Sequence, residues 1–511
     1  MIASGRPSLL GFLVLPGVLL SAAPARAAEG EVTADTTAQF YDVRGPSGQT
    51  TLLRRRLTST LGVTAYDLLP RPKEAGQELL PDLSFRARLR YDADYGASSD
   101  EANSASTELF IPGFSRGPVD LMYAYVEGRR LFHGVVGFKL GRQHQIDPLG
   151  YWSFDGASVR LTTPAFVAVE AYGGMEVRGG LPLSGPIGRY ERDGVWRGDR
   201  DGFAPTAYSS FQQAAVAPAF GAAIETAGVT WLHGRLAYRR VMSTGASDVA
   251  SFAGPGTTAV YDGTRVSQER LGYAVTADWD KVGAVNAGLV YDLYSVAFSS
   301  IYASAEVRPT SKLVVGVDYD YFRPTFDADS IFNFFAVYPM NDVGARVRWE
   351  PTTKLSFTAQ GHVRAFENDT SANLEQPSPY VAAPIGTVLP APAGTSFAGG
   401  GSLGARYQRL DGAVAFRGMG DFGEAGDRVG GDVLGERLLG SRYVVRGRLG
   451  FWHWEDKLRS DRSALSFGSM VGVGYRFFHG SQAGVELDSD VNRLVGIRFR
   501  WLAYLSLAVG K

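Results

Sequence analysis

Arginines at every second position form a distinctive chemical pattern in this chain. In the segment SFRARLRYDADYG (84–96), Arg86, Arg88 and Arg90 alternate with apolar residues. A period of two places alternate side chains on opposite faces of a β-strand. Three guanidinium groups on one face repel one another, and each can bind an anionic group through several N–H donors. The spacing therefore predicts either an anion-binding surface or a set of ion pairs.

Further arginines follow the same alternation near both ends of the chain. Segments 51–60, 442–452 and 495–509 place arginines on the face opposite their apolar residues. If the chain closes into a barrel, its first and last strands pair, and these sets become neighbours on one wall. The arginines expected to line that wall are Arg54, Arg56, Arg86, Arg88, Arg90, Arg442, Arg446, Arg448, Arg498 and Arg500.

Acidic residues occupy the equivalent face of segments in the middle of the chain. The acids expected on the opposite wall of the lumen are Asp278, Asp292, Glu306, Asp318 and Asp320. Facing basic and acidic walls would create a transverse field in a water-filled lumen, and rows of arginine favour anions. The alternative is that these charges pair across strands and fill a narrow or closed pore. Both hypotheses can hold for different residues.

Period-two segments fill the chain from 33 to 509 and predict an all-β protein. The segments 271–279, 343–349 and 355–365 repeat the pattern, and no long helical period occurs. Together they predict about 18–22 strands, and single-chain bacterial barrels have an even number. The segments whose strand character is least certain are 33–44, 297–307 and 428–438.

Short and long connections alternate between the predicted strands. Short turns are predicted at Glu127–Arg130, Thr162–Pro164, Leu232–Gly234, Asp280–Gly283, Arg308–Lys312, Glu350–Lys354 and Leu410–Gly412. Longer connections are predicted at 96–118, 143–155, 174–217, 243–265, 323–340, 367–399 and 420–432. Transmembrane barrels separate their connections in this way, with short periplasmic turns and long extracellular loops.

Composition favours an outer-membrane antiparallel up-and-down β-barrel. The chain has 511 residues, a formal net charge of −1, 63 glycines and no cysteine. The balanced charge argues against a nucleic-acid partner, and the lack of cysteine excludes disulfides and cysteine-ligated zinc. In such a barrel the apolar face contacts outer-membrane lipid, and aromatic residues at strand ends form girdles. Candidate girdle residues are Tyr95, Tyr125, Trp279, Trp349 and Trp501.

A soluble secreted all-β protein, such as a large sandwich or a β-helix, is the alternative fold. In that case the apolar face would pack inward and the charged face would contact water. A soluble protein of this length would normally divide into several domains. No linker or shift in composition divides this chain, so the barrel remains the preferred interpretation.

The first residues have the composition of a secretory signal peptide. Arg6 precedes the apolar stretch Leu9–Leu20, and Ala25-Arg26-Ala27 resembles a cleavage site. We therefore expect a signal peptide at 1–27 and one barrel domain at 28–511, with its main strands at about 52–509. The expected location is the bacterial outer membrane.

The last predicted strand resembles the signal that the barrel-assembly machinery recognises. Gly496, Phe499 and Trp501 have the expected spacing of a glycine followed by outward aromatic residues. The chain ends in Gly510-Lys511, where that signal usually has a terminal aromatic residue. The departure concerns the terminal position of the signal, and the prediction of a strand is unchanged.

The stretch FKLGRQHQIDPLGYWSFDGASVR (138–160) resembles outer-membrane porins of the alginate-export type and related porins of exopolysaccharide clusters. In that group a strand ends in GRQ, and a loop returns through DG to open the next strand. The matching residues are Gly141-Arg142-Gln143 and Asp155-Gly156, and Lys139, Arg142 and Asp155 are the motif-loop residues. The resemblance implies a pore for a secreted anionic or polar polysaccharide. The alternative is that the glycines shape the loop while Arg142 and Asp155 pair across it.

No enzyme signature points to catalysis. The chain lacks GxSxG, GxxxxGK[ST] and HExxH, and its six histidines have no ligand spacing. We expect no cofactor and no metal. Because no motif for nucleotide hydrolysis occurs, any driving force for transport would come from a periplasmic export partner. The catalytic alternative is an outer-membrane lipase, which would need a Ser–His pair on neighbouring strands at the lipid face.

The expected function is a channel for hydrophilic, preferentially anionic solutes. The alternatives are a general diffusion porin without selectivity and a closed structural or adhesive barrel. A TonB-dependent receptor is disfavoured because no sizeable plug domain precedes the strands. The 174–217 connection, rich in both charge signs, is either an inward constriction loop or a solvated surface loop.

Overall fold

A computed structural model describes most of the chain. The described residues are 29–69, 81–94, 119–177, 217–243, 247–250, 258–261, 264–325, 339–368, 394–424, 426–457, 463–477 and 480–510. The predicted signal peptide at 1–27 lies outside them. Helical structure in these ranges is limited to the short turn Leu131–Gly134. None of the helices described there has the length and apolar character needed to span a membrane.

Twenty-four strands follow one another in these described ranges. They are β1 (Glu29–Arg44), β2 (Thr50–Tyr66), β3 (Asp82–Asp94), β4 (Val119–Arg130), β5 (Val136–Asp147), β6 (Gly150–Thr162), β7 (Val167–Glu176), β8 (Pro218–Thr226), β9 (Leu232–Ser243), β10 (Ser247–Ala250), β11 (Thr258–Tyr261), β12 (Arg265–Trp279), β13 (Gly283–Asp292), β14 (Ala297–Thr310), β15 (Leu313–Phe322), β16 (Met340–Thr352), β17 (Leu355–Asn368), β18 (Gly394–Arg409), β19 (Gly412–Gly423), β20 (Gly426–Leu439), β21 (Tyr443–Asp456), β22 (Ala464–Arg476), β23 (Gln482–Asn492) and β24 (Gly496–Gly510). The three uncertain segments are strands β1, β14 and β20.

The sheet closes on itself. Each barrel strand pairs antiparallel with the next, and β24 pairs with β1 from Gly510↔Glu31 to Ile497↔Arg44. The barrel contains 22 strands, while β10 and β11 form a separate hairpin in the connection between β9 and β12. An even number of strands within the predicted range confirms the up-and-down barrel. Closure into one sheet contradicts the soluble sandwich or β-helix.

Connection length separates the two rims. Because the strand number is even, the start of β1 and the end of β24 share one rim, which we call the terminal rim; the other is the distal rim. The strands β3, β7, β9, β15 and β17 end at the distal rim, and each is followed by a long connection: 95–118, 177–217, 244–264, 323–339 and 369–393. The exception is β2, which ends at the terminal rim and is followed by the long connection 67–81. The predicted separation of long and short connections between the two rims is therefore confirmed, with this one exception.

Several predicted connections are wrong. Residues 143–155 and 420–432 are not long loops, because they belong to the tight hairpins β5–β6 and β19–β20. Their Gly- and Asp-rich composition suggested loops, but a strand face that lines a lumen tolerates polar and small residues. The predicted turns at Glu127–Arg130 and Leu232–Gly234 are the end of β4 and the start of β9.

Apolar side chains cover the outer face of the barrel. Large apolar residues that alternate along the strands are exposed, among them Leu403, Val471 and Leu449. On the opposite face, ion pairs reach across an intervening strand, such as Arg88 on β3 to Asp35 on β1 at 2.7 Å. Side chains converge on the concave side of a barrel, so contacts that skip a strand identify the charged face as the inner one.

Part of the predicted aromatic girdle is present at the terminal rim. Trp231 and Trp279 stack with ring centroids 6.2 Å apart, and Trp349 stacks on Phe357 at 5.5 Å. Trp501 is also exposed on the outer face. Tyr125 contradicts the prediction, because on β4 it shares the inner face with Glu127. Tyr95 lies outside the described residues.

Candidate functional site

Part of the β5–β6 hairpin leaves the barrel wall. β5 pairs with β4 only as far as Arg142, and β6 pairs with β7 only from Phe154 onward. Residues 143–153 are paired across the hairpin, and among the described residues their one backbone hydrogen bond to the neighbouring strand region is from the N–H of Val177 to the carbonyl oxygen of Ser153 at 2.9 Å. We call residues 143–153 the inner hairpin.

The tip of the inner hairpin lies on the inner face of the wall. A Cβ added at Gly272, halfway along β12, would lie 2.7 Å from Cδ2 of Leu149 and 3.1 Å from Cβ of Pro148. Leu149 also packs against Ala223 and Ala237 of β8 and β9. Small residues on these strands therefore leave the space that the tip occupies, and the hairpin narrows the lumen on this side.

Polar contacts hold the inner hairpin against the wall. Nη2 of Arg239 donates to the carbonyl oxygen of Leu149 at 3.3 Å, and its guanidinium lies 5.2 Å from the ring of Trp152. Gln145 donates to Glu170 at 2.7 Å, and Nε1 of Trp152 donates to Glu176 at 3.1 Å. Hydrogen bonds to ionised groups are the stronger ones in proteins, so these contacts fix the hairpin's position.

The GRQ and DG residues shape the base of this hairpin. Gly141 has φ 125°, and a Cβ there would lie 2.3 Å from the carbonyl oxygen of Ala124, so the position requires glycine. Arg142 pairs with Asp155 through two hydrogen bonds of 2.7 Å. Its Nη1 also donates to the carbonyl oxygen of Leu121 on β4, beyond the point where β5 leaves that strand.

Gln143 fastens the two strands of the hairpin to each other. Its side chain is fully buried. Nε2 donates to the carbonyl oxygen of Gly156 at 3.1 Å, and Oε1 accepts from the hydroxyl of Ser158 at 3.0 Å. Lys139 lies nearby on the inner face, 3.7 Å from Glu127. The motif residues thus make the contacts of the structural alternative, in which the glycines shape the segment and Arg142 pairs with Asp155.

Closure brings the predicted arginines together in one arc of the wall. β1 lies between β24 and β2, so Arg498 and Arg500 are a few strands from Arg86, Arg88 and Arg90. β21, with Arg446 and Arg448, belongs to the same arc. Arg54 and Arg56 occupy β2, opposite Tyr41 and Gln39 of β1. Arg442 lies apart from the set, in the turn at the terminal rim, where it donates to the hydroxyl of Tyr475.

Many of these arginines pair with acids of neighbouring strands. The pairs are Arg88–Asp35 at 2.7 Å, Arg446–Glu436 at 2.7 Å, Arg448–Asp432 at 3.3 Å, Arg500–Asp488 at 3.0 Å and Arg498–Asp490. Arg86 instead lies 5.8 Å from the ring of Tyr66. The arc therefore combines ion pairs with arginines whose direct cross-strand neighbours are neutral.

The predicted acids lie on the opposite side of the 22-strand circuit, on β12 to β15. Asp278 and Glu306 both contact Arg308, at 3.4 and 3.1 Å. Asp292 is buried and lies 3.2 Å from Arg270. Asp318 and Asp320 line a polar recess of about 230 Å³ on the inner face. The recess is also lined by Asp342, Gln360, His362, Arg364, Ser402, Arg417 and Asp421.

Two further predictions concern ligands and the long connection at 174–217. In the part of the chain that the structure describes, no group of three His, Asp or Glu residues could hold a metal ion. Residues 178–216 lie outside that part, so the predicted constriction loop has no structural account. The element that narrows the lumen among the described residues is the inner hairpin.

The comparisons with known proteins find similarity to solved structures alone. No family model and no curated protein matches it. Among solved structures it is similar to OccAB4 of Acinetobacter baumannii, with 8% identity, 95% of this chain and 99% of that chain covered, and a TM-score of 0.43. The siderophore receptor PirA of Pseudomonas aeruginosa has 9% identity, 95% and 81% coverage and a TM-score of 0.48.

A third similar structure is the outer membrane protein opdK of Pseudomonas aeruginosa. It has 8% identity, covers 94% of this chain and 99% of its own, and has a TM-score of 0.40. Because these identities and TM-scores are low, the barrel fold is assigned from the strand pairing of this protein itself. The resemblance to alginate-export porins remains a prediction from 25 or so residues, a stretch of about two strands.

Proposed function

We propose that the protein is an outer-membrane channel for hydrophilic solutes, with a preference for anions. The observation that carries this proposal is a closed 22-strand barrel with exposed apolar side chains outside and charged side chains inside. In water, an exposed apolar surface that covers the whole outer face would make copies of the protein associate with one another, whereas membrane lipid solvates such a surface. The terminal rim would then face the periplasm and the distal rim the exterior.

The inner face supports passage of polar solutes. Barrels of about 16–18 strands leave an aqueous channel, and barrels of about 22 strands enclose a wider lumen, which outer-membrane transporters fill with a plug. The lumen of this one is lined by charged residues of both signs and narrowed on one side by the inner hairpin. Ion pairs along the wall keep most charges in fixed positions, so a solute meets many weak contacts in place of one tight site.

Anion preference is supported by the neighbours of Arg86 and Arg88. In the strand register Arg86 lies between Thr64 and Tyr125, and Arg88 lies between Gly62 and Tyr123. By contrast, Arg498 and Arg500 lie directly opposite Asp490 and Asp488. Neutral neighbours leave more of the positive potential of β3 in the lumen, although Asp35 offsets part of it.

Planar-bilayer recording of the purified protein tests this proposal. We expect stable current steps in KCl, and under a salt gradient a reversal potential of the sign that anion preference gives. Absence of conductance would contradict the channel and favour a closed structural or adhesive barrel. Conductance with no ion preference would favour a general diffusion porin.

A double variant links the ion preference to named residues. Arg86→Ser with Arg88→Ser should move the reversal potential toward cations, because two lumen charges are removed. Arg409→Ser with Arg437→Ser is the matched control, since both arginines contact Asp411 at the terminal rim. Equal shifts in the two double variants would contradict the role of β3.

A secreted anionic polysaccharide is the solute class that the resemblance to alginate-export porins adds to this proposal. Support for it is the resemblance together with a charged inner wall that offers repeated contacts. Block of the KCl current by a polyuronate, added to either side in turn, tests this class. A current that is unaffected from both sides would contradict it while leaving the channel in place.

A further inference from the structure

A row of aromatic rings runs along the inner face from β4 to the inner hairpin. Tyr125 and Tyr123 lie on β4, with ring centroids 5.8 Å apart. Tyr123 lies 5.6 Å from the ring of His144, and His144 stacks on Tyr151 at 5.9 Å. We call Tyr125, Tyr123, His144 and Tyr151 the aromatic track.

The track belongs to the lumen because of how the inner hairpin is placed. One face of the hairpin, with Gln145, Leu149 and Trp152, packs against the wall. His144, Ile146 and Tyr151 lie on its other face, and Ile146 and Tyr151 are 78% and 67% exposed. Folding of the hairpin therefore carries the exposed ring of Tyr151 and the half-buried ring of His144 toward the axis of the barrel.

Packing does not explain why the ring of Tyr151 is exposed in this position. A buried tyrosine contributes to stability through area removed from water, but Tyr151 keeps two thirds of its surface exposed. Tyr125, at the other end of the track, is buried beneath Lys139, whose Nζ lies 5.8 Å from its ring. The track thus has one anchored end at the wall and one open end in the lumen.

We infer that the aromatic track binds linear oligosaccharides, an inference that rests on the proposed channel function. The apolar face of a pyranose ring stacks on an aromatic ring, and its hydroxyls remain free to bond polar groups. A row of evenly spaced aromatic rings matches a ligand made of repeated sugar rings. A ligand with a single ring would need only one binding pocket. Arg86 and Arg88, directly beside Tyr125 and Tyr123 in the register, supply hydrogen-bond donors for those hydroxyls.

Sugar block of the channel current tests the track. Maltohexaose, a neutral linear oligosaccharide, is added to a bilayer that holds single channels in KCl. The half-blocking concentration measures binding, and the current without sugar measures the channel separately. Tyr151→Leu removes the ring but keeps apolar bulk, and because Tyr151 is exposed, the change should leave the fold intact.

We expect Tyr151→Leu to raise the half-blocking concentration by about fivefold, the loss of one aromatic stacking contact. Tyr151→Phe keeps the ring and should stay within about twofold of the natural protein. Tyr294→Leu is the matched control, because Tyr294 is also exposed in a distal-rim turn but lies outside the track. Tyr294→Leu should leave the current without sugar unchanged, and the block of each Tyr151 variant is measured as a fraction of that variant's own current without sugar.

Several results would overturn the inference. An intact KCl current that maltohexaose does not block excludes the track while the channel stands. Equal block of the natural protein and Tyr151→Leu also excludes it. Block by tetramethylammonium that depends on Tyr151, without block by the sugar, would assign the track to cations. If no current is seen, the channel proposal fails, and calorimetric titration of detergent-solubilised protein with maltohexaose decides on the track alone.

Discussion

Asp155 illustrates how one carboxylate can hold an element in place. Its two oxygens accept from Arg142, whose side chain is only 8% exposed. A buried guanidinium is strongly destabilising without its partner, because its desolvation is then uncompensated. The sequence left this pair open as the alternative to a transport role, and the structure shows that the pair forms. It closes the hairpin at the point where β5 leaves the wall.

Asp155→Ala should lower the free energy of unfolding by about 1–3 kcal/mol, since Arg142 stays buried without a counter-charge while Asp155 itself is partly exposed. Glu350→Ala is the matched control. The pair Arg348–Glu350 is about half exposed on both sides, and its loss should change stability by less than about 0.5 kcal/mol. Urea unfolding in detergent micelles measures both, and equal losses would contradict a structural role for Asp155.

The inner hairpin shows where strand-level prediction from sequence ends. The resemblance to porins implied one strand that ends at GRQ and another that opens at DG, and residues 143–155 between them were expected to form a long loop. Alternation reports which side chains share a face, and it is the same for a strand in the wall and for one that leaves it. The hairpin folds inward because the small side chains of Ala223, Ala237 and Gly272 leave room for its tip on the inner face of the wall. These three residues are distant from the hairpin in sequence. A lumen face rich in alanine and glycine on β8 was the one available signal.

A pair of engineered cysteines tests the position of the hairpin. In the double variant Pro148→Cys with Gly272→Cys, the two Cβ atoms would start 3.1 Å apart, a few tenths of an ångström closer than in a disulfide. Because the chain has no other cysteine, a disulfide should form on oxidation and consume both thiols. Pro148→Cys with Gly435→Cys should keep free thiols. Thiol labelling before and after oxidation distinguishes these outcomes, and persistent labelling of the first pair would contradict the inward fold.

At the scale of the whole molecule, closure decides which distant residues become neighbours. The barrel class, the even strand number, the two rims and the grouping of the terminal arginines could all be predicted from alternation and connection length. The ion pairs could not, because a shift of register by two residues keeps each side chain on its face but changes its partner. Arg500 meets Asp488 only because β23 and β24 pair in this register.

Closure also depends on Gly496, where β24 begins beside the end of β1. It has φ 88°, and a Cβ there would lie 1.9 Å from the carbonyl oxygen of Arg44. Gly440 has a similar φ of 65° with no atom within 4 Å of an added Cβ, so Gly440→Ala adds only backbone strain of about 1–2 kcal/mol. Gly496→Ala adds the same strain and also forces β24 away from β1, which should remove at least one or two seam hydrogen bonds and about 1–3 kcal/mol more.

Urea unfolding of the two alanine variants in micelles measures this difference, and limited proteolysis near residues 45–49 reports whether the seam has opened. A larger loss for Gly496→Ala, with faster cleavage, is the expected result. Equal losses would mean that β24 can shift along β1 without opening the barrel. The register Arg44↔Ile497 would then not determine closure, and neither would the neighbourhood of the two arginine sets that closure brings together.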